Sequence, residues 1–366
     1  MCSVFRSSRS NPAHYNRSLI VAATVAASIF EARLVLQKAV DIPSAPTGSS
    51  LHRRKAGGYL ASLLVIVATA AAASQPEIPG LQAPPDQEPI SSVPSPPPAD
   101  PFKLALGERL FADPRLSRGG SRACSSCHDV GTNGADGNRH DKAFDGSDLP
   151  FNTTTVFNAA LSFRLGWEGG FRTLEAQAEA LLENSGPMGT TIAEVVGKLS
   201  ADPKITRQFG EAYGHSPDRA SLLDAIATYE RSLLTPGSRF DHWLDGDAAS
   251  LSIEEQNGYQ LFKSLGCVSC HQGVNVGGNL FQRQGIFHPL ASPKPEILRV
   301  PSLRNVAITP PYFHDGSAPT LDEAVRRMAA AQLDRALSDQ QVDAIVAFLS
   351  TLTGTYRGTS LVVAPQ

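Results

Sequence analysis

Two short stretches of this chain carry residues that could do chemistry together. Cys267-Val268-Ser269-Cys270-His271 places two thiols three positions apart and an imidazole directly after the second thiol, and Cys124-Ser125-Ser126-Cys127-His128 repeats the pattern. Two thiols at this spacing can bond covalently to the vinyl groups of a porphyrin, and the histidine that follows can ligate the iron from one side. The sequence therefore predicts two covalently bound c-type haems.

Two other interpretations of the cysteine pairs are a four-thiolate zinc site and a pair of redox dithiols. A histidine follows each pair directly, and the two pairs lie far apart in a chain whose remaining cysteine is Cys2. This arrangement favours haem over zinc.

The charge is distributed unevenly along the 366 residues. Residues 1–73 carry eight basic and two acidic side chains, and the 24 basic and 33 acidic side chains that follow give a net charge of −9. An acidic protein is a poor match for nucleic acid, and it is a better match for a small basic electron donor.

Residues 1–74 are predicted to be an N-terminal extension and an export signal. Three basic residues at positions 53–55 precede a 15-residue apolar run that ends in small residues, which is typical of a secretory signal peptide. The run is short for a membrane-spanning helix, although an uncleaved anchor is the alternative. We expect a periplasmic location.

The proline-rich stretch at residues 75–100 is predicted to be an extended linker that is poorly packed. The folded protein should then begin near Asp100.

Residues 101–236 and 237–356 are predicted to be two haem domains related by internal duplication, followed by a tail at 357–366. Three landmarks recur: Gly107-Glu108-Arg109-Leu110-Phe111 matches Gly258-Tyr259-Gln260-Leu261-Phe262, Thr155-Val156-Phe157-Asn158-Ala159 matches Ser302-Leu303-Arg304-Asn305-Val306, and Trp167-Glu168-Gly169 matches His314-Asp315-Gly316.

The fold is predicted to be mainly α, with long loops around the haems and few or no strands. Capping pairs predict helices that begin after Thr191, Ser252, Thr320 and Ser338. An apolar face predicts a further helix near residues 221–234.

The duplication also predicts that the two irons are ligated differently. In the second half Met328 is the candidate for the sixth ligand, and a core methionine is the alternative. The same spacing in the first half lands on Leu181, which cannot ligate iron. The first haem must therefore take another ligand, for which His140 is the candidate, or none, and it is the predicted reactive site.

From about residue 100 to residue 354 the chain resembles the bacterial di-haem cytochrome c peroxidases and their MauG-like relatives. The resemblance rests on both CxxCH motifs, the block at residues 301–305, Pro311-Tyr312-Phe313-His314-Asp315-Gly316 and Met328. It implies a high-potential C-terminal haem where electrons enter and a low-potential N-terminal haem that reduces peroxide. It also suggests a homodimer.

The resemblance assigns roles to further residues. Trp167 matches a tryptophan between the haems, Gln177 matches an active-site glutamine, and His314 matches a histidine beside the high-potential haem. Arg304 is a further candidate for haem binding.

The family's calcium site implies that the Asn152 side chain and the carbonyls of Thr309 and Pro311 bind Ca²⁺, which favours oxygen ligands.

Two positions depart from the family. Pro187 stands where the family has a catalytic glutamate, and proline cannot move a proton. Glu183 is the nearest acidic residue, four positions upstream. Phe144 stands at the place of the family's removable distal histidine, unless a shorter loop lets His140 take that place.

These observations predict a di-haem peroxidase. Electrons from a small cytochrome c or cupredoxin would enter at the His271/Met328 haem, pass Trp167 and reduce H₂O₂ at the His128 haem. Gln177 and either Glu183 or His140 would assist proton transfer. The alternatives are a MauG-like oxidase of a protein or organic substrate and a non-catalytic di-haem electron carrier.

Overall fold

The computed structural model describes residues 88–362, and within them the fold is mainly helical, as predicted. The helices are α1 (Pro101–Phe111), α2 (Leu174–Glu183), α3 (Ile192–Ser200), α4 (Pro203–Tyr213), α5 (Arg219–Ser232), α6 (Arg239–Leu244), α7 (Ile253–Ser264), α8 (Leu321–Leu333) and α9 (Asp339–Ser350). None of these is long and apolar enough to cross a membrane. The predicted export signal lies outside the described residues.

The strands of the described part form two small antiparallel hairpins. Strand β1 (Phe281–Arg283) pairs with β2 (Ile297–Arg299), and β3 (Thr355–Tyr356) pairs with β4 (Thr359–Ser360). Each cysteine pair lies on a short 3₁₀ turn, Cys124–Ser126 in the first half and Cys267–Ser269 in the second.

The predicted caps explain where four helices begin. Thr191, Ser252 and Ser338 each form a reciprocal capping box with the side chain three positions on, which satisfies backbone donors at the helix start. Thr320 accepts a hydrogen bond from the backbone nitrogen of Glu323 and starts α8. The helix predicted near residues 221–234 begins two positions earlier, because Asp218 caps it.

The duplication is visible in two equivalent helix crossings. Helix α1 packs on α5, and α7 packs on α9. A Cβ atom at Gly107 would lie 2.0 Å from the Ala225 carbonyl oxygen, and one at Gly258 would lie 1.9 Å from that of Ala344. Glycine is therefore required in both halves, because the helix backbones are in direct contact there.

Matched asparagines join the two halves. Asn158 and Asn305 both have left-handed backbone conformations, with φ of 60° and 62°. The side-chain nitrogen of each donates to the hydroxyl of buried Thr235, over 2.7 and 3.1 Å respectively. One hydroxyl thus connects residues 155–159 of the first half with the equivalent residues 302–306 of the second.

The expectation that the folded protein begins near Asp100 is wrong for residues 88–93. Ile90 and Val93 are buried, at 2% and 5% exposure, and the Glu88 carboxylate accepts hydrogen bonds from Tyr259 and Lys263 of α7. Apolar side chains between the prolines explain the error, because they give this stretch a surface to bury. Residues 94–100 are exposed, as expected of a linker.

The glycine crossing gives a stability prediction. Gly258→Ala should destabilise the haem-loaded protein by about 1–3 kcal/mol, because the added methyl group overpacks two helix backbones. Gly210→Ala is the matched control: this exposed glycine of α4 has open space around it, so alanine should be neutral or stabilise by at most about 1 kcal/mol. Guanidinium unfolding measures both variants, and equal midpoints would contradict the tight crossing.

Candidate haem centres

Each motif histidine is oriented by a hydrogen bond to a backbone carbonyl. The Nδ1 atom of His271 lies 3.3 Å from the Val276 oxygen, and that of His128 lies 3.2 Å from the Gly134 oxygen. Because a carbonyl can only accept, Nδ1–H must donate, which leaves the Nε2 lone pair free for iron. Both rings are therefore held in the tautomer that an axial ligand needs.

The two accepting carbonyls are themselves fixed by the second landmark of the duplication, residues 155–159 and 302–306. The backbone nitrogen of Val156 donates to the Gly134 oxygen over 2.9 Å, and that of Leu303 donates to the Val276 oxygen over 3.2 Å. Val156 and Leu303 occupy equivalent positions of the duplication. The same hydrogen-bonding arrangement thus orients the histidine in each half.

Burial keeps both histidines neutral. It lowers the pKa of His271 to about 4 and also lowers the pKa of His128, and the hydrogen bonds to the carbonyls oppose this shift only in part. An uncharged imidazole at neutral pH has the lone pair that metal ligation requires.

Within residues 88–362 the cysteines are not grouped as a four-thiolate zinc site requires. The cluster of potential metal ligands within residues 88–362 consists of Cys127, Asp136 and Asp141 and contains one thiol. Burial raises the pKa of Cys124 and Cys127 to about 12 and that of Cys267 to about 11, whereas a zinc site needs thiolates. Two separate, half-buried thiol pairs fit porphyrin attachment instead.

A cavity of 380 Å³ surrounds the second motif. Its mostly apolar wall includes Cys267, Cys270, His271 and, on α8, Met328. This wall suits a porphyrin with one histidine ligand. Met328 is thus brought to the same cavity as His271, and its role as the sixth ligand stays a prediction.

His314 supports the fit of a haem in this cavity. Its side chain lies on the cavity wall at 2% exposure, and within residues 88–362 its Nε2 atom has no hydrogen-bond partner. A buried polar atom without a partner is costly, and a haem carboxylate is a group that could satisfy it. Burial lowers the pKa of His314, and nearby Asp315 opposes that shift.

Arg304 also lies on this wall, and its guanidinium is hydrogen-bonded within the protein. It donates to the Asp241 carboxylate over 2.7 Å, to the Val274 carbonyl over 2.9 Å and to the Ser91 carbonyl over 2.8 Å. Its predicted haem contact stays a prediction, and the contacts that the structure gives it hold the loop after His271.

Trp167 connects the two halves. Its indole nitrogen donates to the Asn152 carbonyl over 2.9 Å, and its ring lies edge-on to His314 with the centroids 6.2 Å apart. Gln177 of α2 lies on the wall of the same cavity. The structure therefore brings these three predicted residues to one place.

The predicted calcium ligands also share this cavity. Asn152, Thr309 and Pro311 all lie on its wall. The Asn152 side-chain nitrogen donates to the Asn138 carbonyl over 2.9 Å, so its side-chain oxygen points the other way and can serve a cation.

His140 lies at the base of a hairpin formed by residues 140–149. Its Nδ1 atom donates to the Leu149 carbonyl over 2.8 Å, and a bridge between Lys142 and Asp148 closes the hairpin. His140 is also close enough to His314 for its charge to oppose protonation of that ring. Its role at the first haem stays a prediction.

Phe144, at the tip of this hairpin, is held between two arginines. The guanidinium carbons of Arg122 and Arg118 lie 4.2 and 4.9 Å from its ring centroid, within range of a cation–π interaction. Arg122 also donates to the Lys142 carbonyl over 2.7 Å. The arginines thus fix the hairpin that carries Phe144, one of the two departures from the family.

The segment that contains Pro187, the other departure from the family, packs against Phe144. A Cβ atom at Gly189 would lie 3.4 Å from the Phe144 ring, and the Arg118 backbone nitrogen donates to the Met188 carbonyl over 2.8 Å. Residues 187–189 therefore pack on the hairpin tip. Positions 144 and 187 belong to one surface of the first domain.

The structure does not bring Glu183 to the cavity wall where Gln177 lies. Glu183 is the last residue of α2 and is exposed. Its proposed part in proton transfer stays a prediction.

Two acidic residues near the first motif were missed from the sequence. Burial raises the pKa of Glu230 on α5 to about 8, and its charge acts on Cys124. Burial beside Asp141 raises the pKa of Asp136 to about 7. No sequence pattern marked them, because their protonation depends on burial and on a neighbour that folding supplies.

Comparison with known proteins gives the family. The family model described as di-haem cytochrome c peroxidase matches residues 101–249, and a cytochrome c model matches residues 255–353. The chain is 37% identical over 297 residues to the cytochrome c551 peroxidase of Nitrosomonas europaea, covering 76% of this chain and 88% of that protein.

MauG-like proteins are also similar. The methylamine utilization protein MauG of Methylorubrum extorquens is 31% identical over 324 residues, covering 81% of this chain and 91% of that protein. The crystal structure of a MauG-like protein associated with microbial copper homeostasis has a TM-score of 0.62 and 28% identity, covering 72% of this chain and 94% of that one. This chain therefore belongs to the di-haem cytochrome c peroxidase and MauG family, and it consists of two cytochrome c-like domains.

Proposed function

We propose that this protein is a periplasmic di-haem peroxidase that reduces H₂O₂ to water with electrons from a small cytochrome c or cupredoxin. The proposal rests on one difference between the equivalent helices α8 and α2, which carry different residues at the same position. Met328 of α8 shares a cavity with His271, whereas the equivalent residue of α2 is Leu181. The first domain thus has no thioether at the position equivalent to Met328.

The protein's own residues prepare both centres. When bound, haem supplies an iron that passes single electrons and, at a free coordination position, binds peroxide. His128 and His271 would ligate the two irons as neutral imidazoles. Trp167 and His314 lie between the domains, and the Gln177 side-chain amide would help to position the substrate.

Three results separate this proposal from its rivals. With reduced cytochrome c and H₂O₂, the haem-loaded protein should oxidise many equivalents of donor. Met328→Leu should slow this turnover, because loss of the thioether ligand lowers the potential of the haem that receives electrons. Met188→Leu, a buried methionine of the first domain, is the matched control and should leave the rate nearly unchanged.

A non-catalytic carrier would exchange electrons with the donor without consuming peroxide. A MauG-like oxidase would consume peroxide while oxidising a protein or organic substrate in preference to the cytochrome. Either outcome would refute the proposed peroxidase activity. The similarity to MauG keeps the oxidase as the second candidate.

Proton transfer should limit the rate, because Pro187 replaces a catalytic acid. Pro187→Glu should raise kcat by up to about 10²-fold, the lower range for a positioned general acid. Pro187→Gln is the control, since it has a similar shape and cannot deliver a proton. Steady-state kinetics measures both, and an equal rise in the two variants would attribute the gain to backbone freedom.

We also propose a calcium ion bound by the Asn152 side chain and the carbonyls of Thr309 and Pro311. Asn152→Ala should weaken calcium binding at least about tenfold, measured as metal content after dialysis against graded chelator. Asn138→Ala, which keeps its backbone carbonyl, should retain the ion. Equal calcium content in both variants would place the ion elsewhere.

A further inference from the structure

Residues 88–93, which we call the strap, cover the loop that orients His271. The Gly273 backbone nitrogen donates to the Pro89 carbonyl over 2.8 Å, two residues after the histidine. Ile90 packs in the apolar cluster that contains Val276, whose carbonyl accepts the hydrogen bond from His271. The strap is thus hydrogen-bonded to the loop near His271, and it shares an apolar cluster with Val276.

Arg304 joins the strap to the middle of the same loop. Its guanidinium donates to the Ser91 and Val274 carbonyls, and Asp241 neutralises it. The Asp241 carboxylate also accepts a hydrogen bond from the Val93 backbone nitrogen over 3.2 Å. This ion pair is buried, with side-chain exposures of 1% and 3%.

The loop needs this support because its accepting residue is strained. Val276 has a φ of 47°, a left-handed conformation that is unfavourable for a β-branched side chain. Such a conformation persists only where the surrounding contacts hold it. In the first half the accepting residue is Gly134, with a φ of 73°, and glycine adopts this conformation without strain.

The first half also lacks the arginine of this arrangement. The residue equivalent to Arg304 is Phe157, which is buried at 1% exposure. The strap and its arginine therefore serve one histidine of the two.

We infer that the strap is a positioning device for the axial histidine of the C-terminal haem: it holds Val276 in its strained conformation and so maintains the Nδ1–H···O hydrogen bond of His271. That hydrogen bond increases the donor strength of the imidazole and stabilises ferric iron. The strap does not touch the ring, so its loss should act through the hydrogen bond. The inference concerns the haem site and is independent of the electron donor and of peroxide turnover.

Ile90→Asp in the full-length, haem-loaded protein tests the inference. A carboxylate in the apolar cluster should detach the strap from the domain. Hydrogen–deuterium exchange of the Gly273 amide should then become faster, because this amide loses its hydrogen bond to Pro89. In a redox titration the midpoint potential of the C-terminal haem should rise, while that of the N-terminal haem stays unchanged. Pro97→Asp, in the exposed part of the linker, is the matched control and should change neither.

Val276→Gly provides the second test. Glycine needs no external support at a positive φ, so adding Ile90→Asp to Val276→Gly should shift the potential much less than Ile90→Asp does alone. If Ile90→Asp prevents assembly with haem, Val93→Asp takes its place in both tests, because it introduces a carboxylate at the buried other end of the strap.

Three results would overturn the inference. Faster exchange of the Gly273 amide with an unchanged midpoint potential of the C-terminal haem would show that the strap has only a structural role. A fall in potential would show that the strap excludes water instead of positioning the histidine. Unchanged exchange and potential in both strap variants would show that burial of Ile90 and Val93 does not hold the strap in place.

Discussion

A hydrogen bond from an imidazole Nδ1–H to a backbone carbonyl is the constraint around which each domain is arranged. It sets the tautomer and the orientation of the ring, so Nε2 is available to iron. The carbonyl must in turn be fixed, and the matched segments that contain Val156 and Leu303 do this in both domains. The glycine crossings of α1 with α5 and of α7 with α9 complete each domain, because they let the helices pack tightly enough to enclose the motif.

The two domains share this arrangement and differ in what surrounds it. The second domain supports a strained valine with the strap and a buried ion pair, and it offers a methionine on the cavity wall. The first domain uses an unstrained glycine and has a leucine in place of the methionine. A duplicated fold thus supports two unlike iron sites, because the ligands and their supports vary while the backbone arrangement is kept. Such a difference suits a protein that takes electrons at one haem and reacts at the other.

The surroundings of the first haem also separate this chain from the family pattern. The hairpin tip with Phe144 packs on the segment that contains Pro187, and Arg118 and Arg122 fix it there. Two departures that are distant in sequence therefore change one surface. Protonatable groups are nevertheless present near the motif, since burial raises the pKa of Glu230 to about 8.

The sequence alone determined the haem motifs, the duplication, the helical class and the starts of four helices. These depend on local spacing: a CxxCH motif, a repeated interval or a capping pair is complete within a few residues. It also indicated that Met328 and Leu181 occupy equivalent positions with different ligand chemistry, because each lies at the same distance in sequence from its preceding landmark, His314 or Trp167.

Only the tertiary structure decided which distant groups meet. Residues 88–93 were predicted to be linker, because Pro89 and the prolines on either side of this stretch are a local signal. The surface that buries Ile90 is formed by residues more than 140 positions away. The contacts of Arg304, the pairing of Trp167 with His314 and the raised pKa of Glu230 likewise depend on neighbours that folding brings together. Burial and hydrogen bonding between segments are properties of the packed chain, and no local pattern encodes them.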